Sequence, residues 1–594
     1  MGSLYRHYKR LKVDASNPEA KPSIALKIVL PLIGLLALIW FLVRVIPKPS
    51  RATYPCQRAA FPLASSFIIW LAGVMGSAAL IKKAQRYHHQ VCTAAICIAA
   101  SVLCLWLTLL AAFDRPALAE VPLPNTPIGI AKGIFPGRVV WVHDPSATDW
   151  NGPAAGDGYS WQSENTLQKY VDAMVRKAVC GLTGCEGNVQ AWDALFRYFN
   201  RCQGKQDKGY TPGEKITIKV NLTTCNLTVG AVNPSTYQKI SHLDSSDTNP
   251  QLILSVLRQL VYTAGVEPNC IAVGDTLARF PNQWRDILFS EFPEVIYFDK
   301  IGGSGRTQST PSAVVQHWSH GLDPESFLTD YIPVFYAEAE YLINIAVLKS
   351  HAAGITLCAK NNYGSYNRTP DSIGYYNLHN SLAGFNTAAG QYRALVDIMG
   401  HPHMGGKTLL YILDALYAGQ NWQGNPVRFE MDPFNHDWPS SILVSQDPVA
   451  IDSVGLDILW NEWPAAVQKG GVEDYLSEAA LADNPPSGTF YDPANNGMGI
   501  QSLGVYERWN NPTDRQYSRN LGIGEGIELD YIKLNHNAGD LNSDDYVGVE
   551  DLMQLSEQWL WHGNPGAILE DINQDGYVNL NDFENIAGKW GFSY

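Results

Sequence analysis

The sequence predicts an α/β protein: a mostly parallel sheet with helices on both faces. Two observations carry this. Between residues 139 and 445, runs of strand length alternate with helix-length segments. The runs are near-continuously apolar rather than alternating, as in strands covered on both faces. A third observation frames the fold. Apolar residues crowd the first 113 positions, and an acidic stretch near the C-terminus repeats itself, so N-terminal transmembrane helices and a small all-α C-terminal domain are expected on either side of the α/β core.

The elements follow in chain order. Residues 1–23 form a basic tail with Arg6, Lys9, Arg10, Lys12 and Lys21. Three apolar segments, 24–46, 61–80 and 91–113, are long enough to cross a bilayer, which takes ~20 residues of helix. Lys82, Lys83 and Arg86 on the second loop side with the tail, which predicts a cytoplasmic N-terminus. The expected location is therefore the cell membrane, multi-pass, with the main domain periplasmic or extracellular. Residues 114–136 hold Pro116, Pro122, Pro124, Pro127 and Pro136 and read as a tether.

The α/β domain, 137–530, opens with VVWVH (139–143) and a helix near 164–178. Then come ITIKVNL (216–222), a helix from Pro250 to about Ala264, CIAVGDT (270–276) and VIYFD (295–299). YLINIAVL (341–348), LLYILDAL (409–416) and SILVS (441–445) follow, the last leading into a helix after Asp447.

Where these strands end, the chemistry changes. Lys219 and Asn221 close the second, Asp275 the third, and Lys349 and His351 the 341–348 run, followed by Lys360 and Asn361. Carboxyl ends of parallel strands share one edge, so these groups should converge on a crevice. Lys219, Lys349 and Lys360 with Asn221 and Asn361 would suit an anionic small molecule, a carboxylate or phosphate. His351 could act as general acid or base. Asp275, Asp414 and Asp447 could orient the lysines or hold a hard cation, although Asp447-Pro448 also reads as a helix cap. His401 and His403 could ligate a transition metal with His351 or His379, but a loop pair of this kind is more often structural.

The same segments carry a family likeness. IKVNL, NPQLILSVLRQLVYTAGVEPNCIAVGDT, YLINIAVLKSHAAGITLCAKNNYG and LVSQDPVAIDSVG resemble, in order, signature segments of the DUF362 family, a domain of uncharacterised function. The resemblance implies an α/β domain with a shared polar site and no agreed reaction. Many relatives carry a ferredoxin-type cluster domain; here no CxxC occurs, so no iron–sulfur cluster is expected.

Residues 538–594 are a separate unit. AGDLNSDDYVGVEDLMQLSEQWL and LEDINQDGYVNLNDFENIAGKWG repeat oxygen ligands at calcium-loop spacing. The first loop offers Asp540, Asn542, Asp544, the Tyr546 carbonyl and Asp551. The second offers Asp571, Asn573, Asp575, the Tyr577 carbonyl, Asn579 and Asp582. Gly576 supplies the sharp turn of the second loop, whereas Asp545 stands there in the first, so the second Ca²⁺ site is the more secure. One helix follows each loop, and position twelve is Asp. These features resemble type I dockerin repeats, EF-hand-like modules. The resemblance implies export, a cohesin-like partner and a link to polysaccharide breakdown. Val549-Glu550 and Leu580-Asn581 depart from the usual recognition pair, which leaves calcium-stapled intramolecular packing as the alternative.

A net charge of −14 with no basic stripe argues against nucleic-acid binding. The ten cysteines permit disulfides in an oxidising compartment without revealing a pairing. Two functions are thus expected: a small-molecule site at the sheet edge, enzymatic or not, or a surface scaffold that docks through its C-terminus. Glycoside hydrolysis rests only on the dockerin association, because no carboxylate pair stands out.

Overall fold

A computed structural model describes residues 35–40, 42, 43, 68, 71, 75, 123–320, 330–367, 378–382, 384, 388, 390–537, 539–542 and 546–591. The chain forms two compact units, Met1–Pro116 and Ala117–Tyr594. In the first, the described residues are helical. The segments 24–46, 61–80 and 91–113 lie almost wholly outside the described residues. Among those described, no helix is long and apolar enough to cross a membrane, which overturns the multi-pass localisation expected above. An apolar window is a property of composition; a span also needs ~20 residues of continuous helix, and the longest described run there is 35–40.

The second unit is α/β, with a mixed, mostly parallel ten-stranded sheet. Its strands are β1 (Arg138–His143), β2 (Ile216–Val220), β3 (Ile271–Gly274), β4 (Ile296–Asp299), β5 (Thr307–Gln308), β6 (Tyr341–His351), β7 (Gly354–Thr356), β8 (Thr408–Gly419), β9 (Ser441–Ser445) and β10 (Glu528–Lys533). Their spatial order is β10-β1-β9-β8-β6-β2-β3-β4-β5, with β7 folded back on β6. The run β8-β6-β2-β3-β4-β5 is parallel throughout. β9 runs against both neighbours, and β10 pairs in parallel with β1.

Parity along the strands divides the core. Val139 and Trp141 join one cluster while Val140 and Val142 join the other, as alternate residues of a strand must. One face is covered by α1 (Gln168–Thr183), α2 (Asn188–Cys202) and α3 (Pro250–Arg258). The other carries α4 (Cys358–Asn361), α5 (Ala394–Gly400), α6 (Pro448–Glu462) and α7 (Asp474–Ala480). α3 begins on Pro250, with Asn249 accepting the Gln251 N–H as its cap. The cysteines among the described residues, Cys180, Cys185, Cys202, Cys225, Cys270 and Cys358, are all unpaired thiols.

Near the C-terminus, α8 (Val549–Glu557) and α9 (Leu580–Gly588) pack over Leu541, Val547, Leu555, Val578 and Ile586. This small layer leans on α1. Arg176 pairs with the buried Glu570 carboxylate, and Lys177 Nζ donates to the Asn542 carbonyl at 3.0 Å.

Candidate functional site

Six parallel neighbours place their carboxyl ends at one edge, and four of the predicted groups interlock there. Lys219 Nζ lies 3.0 Å from Asp275 Oδ2 and 3.0 Å from Asn361 Oδ1, and it donates to the Val220 carbonyl at 2.5 Å. Those partners take all three N–H bonds of the ammonium. Asp275 also accepts from the Leu222 and Leu277 N–H groups. Asn221 Nδ2 reaches the same Asn361 oxygen, and Asn361 Nδ2 ties back to Asn344 and to the Ile345 carbonyl of β6. A Cβ on Gly364 would stand 2.8 Å from Asp275 and 2.9 Å from Lys219, so the chain can pass here only without a side chain. Burial pulls the Lys219 pKa down while Asp275 opposes the shift.

Lys349 and His351 both belong to β6, which runs three residues beyond the apolar run. Lys349 is fully buried, and its Nζ donates to the Ser246 carbonyl at 2.6 Å. Its other two N–H bonds have no partner among the described residues. Burial lowers its pKa to about 8, against the pull of Asp247. Asp247 is itself held by Lys239 at 2.8 Å, both side chains being wholly buried, and by Thr224.

Lys360 sits on α4, whose first N–H groups are held by Asp452: Oδ1 accepts from Cys358 at 2.8 Å and Oδ2 from Ala359 at 3.0 Å. Tyr475 donates to the same carboxylate, and burial raises its pKa to about 6. Among the described residues Lys360 Nζ has neither a hydrogen-bond acceptor nor an ion-pair partner; the Tyr363 ring lies 5.5 Å away. Burial, and then the charge of Lys349, bring its pKa down to about 7.

His351 Nδ1 accepts the Ala353 N–H at 2.9 Å, and the ring stacks on His379 at 5.9 Å. Burial, followed by Lys360, His379 and Lys349, depresses its pKa far below the ordinary imidazole value. A neutral imidazole that accepts at Nδ1 carries its proton on Nε2, so His351 presents a donor rather than a free base.

The edge does not collect every predicted group. Asp447 follows β9, which runs opposite to its neighbours, and it caps α6 through Val449 and Ala450 while also accepting from Lys132 and Val505. Asp414 accepts from Asn249 and Leu416, and burial raises its pKa to about 6. His401 and His403 face main-chain carbonyls of Val315 and Ala337. Among the described residues no group of three or more His, Cys, Asp or Glu side chains is gathered to hold a metal ion. Asp247 and Lys239 escaped sequence reasoning because they lie in an irregular loop with no periodicity.

In the C-terminal repeat, Asp551 and Asp582 do the same work in their own loops. Asp551 accepts from the Leu541, Asn542 and Gly548 N–H groups; Asp582 accepts from Ile572, Asn573 and Asn579. Asp571 accepts from Asp575 and Gly576, Asn573 from Asp575, and Asp575 from Tyr577. Asp540 is buried, and Asp544 lies outside the described residues. The donor set is all oxygen, the type a hard cation takes.

A DUF362 domain, described as a domain of unknown function, matches residues 314–457. That span holds Lys349, His351, Lys360, Asp414 and Asp452; Lys219, Asn221 and Asp275 lie N-terminal to it. Neither the curated proteins nor the solved structures returned a match.

Proposed function

We propose that the carboxyl edge of the sheet binds an anionic small molecule between Lys349 and Lys360, with His351 Nε2–H as a third donor. One observation carries this reading. The fully buried Lys349 and the half-buried Lys360, whose protonation Lys349 disfavours, keep most of their N–H bonds without partners among the described residues, and no carboxylate there lies within ion-pair reach of either. Unpaired buried cations are costly, and a bound carboxylate or phosphate removes that cost. Lys219 and Asn221 are the frame: the Lys219 donors go to Asp275, Asn361 and Val220, and Asn221 donates to Asn361. Calorimetry on the full chain with inorganic phosphate and with pyruvate tests the idea. Binding by at least one, reduced about tenfold or more in Lys349→Met and in Lys360→Met, is expected. No heat with either anion, or unchanged affinity in both folded variants, overturns it.

A second reading concerns the C-terminal module, and a repeated surface favours it. Tyr546, Val549 and Trp559 are exposed, as are their counterparts Tyr577, Leu580 and Trp590 one repeat later. A pairwise apolar surface of this kind suits a docking partner, and Ca²⁺ in the two loops would stiffen it. This is the dockerin-like alternative, with the α/β domain as its carrier and Glu570 and Asn542 fastening the module to α1. Titration of Ca²⁺ into the full chain should release or absorb heat that disappears in the Asp540→Ala/Asp571→Ala double variant. A parent chain that gives no heat ends the reading.

A further inference from the structure

We propose that Cys180 and Cys185 are a site of reversible oxidation: a dithiol that a small-molecule disulfide converts into a bridge across the C-terminal turn of α1. The inference is independent of the anion site and of the C-terminal module.

The way α1 ends brings the two thiols together. Gly184 follows its last residue in the left-handed region, at φ 70° and ψ 14°, and donates its N–H to the Cys180 carbonyl at 2.8 Å. A chain that leaves a helix through such a glycine folds its next residue back over the one four places before the glycine. Here those residues are Cys185 and Cys180. The sulfurs agree with the backbone. Cys180 Sγ reaches over the turn to the Glu186 carbonyl at 3.7 Å, one residue past Cys185, and Cys185 Sγ lies 4.0 Å from the Thr183 carbonyl. Both side chains thus lie against the same short turn, and both residues are half-buried, open to a small reagent. A bridge needs Cα atoms within roughly 7 Å, which residues facing across a single left-handed turn satisfy. Arg138 anchors the turn through the Gly181 carbonyl at 2.9 Å, and Gly184 backs onto the Phe135 ring. Closure is therefore left to rotation of the two cysteine side chains. Other described thiols are placed differently: Cys225 and Cys358 are buried, and Cys202 stands exposed at the end of α2.

Burial, and then Cys185 and Glu557, push the Cys180 thiol up to about 12 against the pull of Lys177 and Arg176, so Cys185 opens the exchange. Its thiolate attacks one sulfur of the external disulfide; that S–S bond breaks, one thiolate leaves, and a mixed disulfide remains on Cys185. Cys180, deprotonated, then attacks the Cys185 sulfur and expels the second thiolate. The high effective concentration of a neighbouring thiol offsets the small thiolate fraction of Cys180. Together the protein thiols lose two protons and two electrons, and the external disulfide is reduced to two thiols.

The test incubates the reduced full chain with glutathione disulfide at about pH 8.5, where an ordinary thiol is half ionised. Remaining thiols are alkylated with N-ethylmaleimide and the chain is digested with trypsin for mass spectrometry. Both cysteines fall in one peptide, 178–197, because cleavage follows Lys177 and Arg197. That peptide should appear two hydrogens lighter and unalkylated, at on the order of tenfold less glutathione disulfide than is needed to load Cys202. Dithiothreitol should restore both thiols. In Cys180→Ser the second attack is lost, and Cys185 should keep glutathione as a stable adduct. A parent 178–197 peptide that is alkylated at both cysteines, or that carries glutathione, while Cys202 is loaded overturns the proposal. So does a bridge that needs as much oxidant as Cys202. The parent chain decides the matter even where the variant fails to fold.

Discussion

Replacing Asp275 by asparagine measures how far the Lys219 network is a frame for the site. The two side chains are 3% and 6% exposed and their charged atoms are 3.0 Å apart. Asparagine keeps the shape but not the charge. If its oxygen takes the Oδ2 position it still serves Lys219 and Leu222, and its amide then faces the Leu277 N–H, which loses its acceptor. An orphaned buried donor costs about 1–3 kcal/mol. A buried ammonium stripped of its partner costs about 3–5 kcal/mol. Lys219 is already depressed by burial, so part of the second penalty is relieved when it releases its proton, and the sum should fall near ~4 kcal/mol at pH 7. The sign with pH follows. A lysine whose folded pKa is depressed holds fewer protons than the unfolded chain between its folded and ordinary values, so stability rises with pH across that window. Removing Asp275 widens the window downward, and the deficit should narrow from pH 7 towards pH 10. Urea unfolding followed by tryptophan fluorescence reads the loss. Lys219→Met with Asp275→Leu should recover most of it, since no buried charge remains. A loss below ~1 kcal/mol, or no recovery in the double variant, refutes the reasoning.

Three further outcomes are expected. Sulfate, an anion that does not titrate in this range, should bind more weakly as pH rises through 7 to 8, by up to about tenfold per unit for each proton lost, because the anion binds the protonated amines and burial brings Lys360 and Lys349 down to about 7 and about 8; a flat calorimetric profile from pH 6 to 9 contradicts this. Asp452→Ala should cost ~2–3 kcal/mol in urea unfolding by freeing the Cys358 and Ala359 N–H groups and the Tyr475 hydroxyl, and it should weaken anion binding with it, since α4 positions Lys360. Arg176→Ala leaves Glu570 buried and unpaired, so limited proteolysis should cut the chain near residues 534–540 faster than in the parent; unchanged cleavage means the module is held by its apolar contacts instead.

Much of the architecture was legible in the chain. Apolar runs of strand length placed β1, β2, β3, β4, β6, β8 and β9 nearly at their observed bounds, because a strand covered on both faces excludes polar residues wherever it begins. Polar residues at the ends of β2, β3 and β6 pointed to one edge for the same reason. Strand direction was not legible. SILVS reads alike in either sense, yet β9 is antiparallel, which carries Asp447 away from the lysines and makes it a helix cap. Nor could sequence tell a saturated lysine from an unpaired one. Lys219 and Lys360 look equivalent in a list of cations; only the approach of Asp275 and Asn361, from segments 56 and 142 residues away, removes the first from chemistry. Composition decides what must be buried, but which buried charge finds a partner is settled by long-range packing.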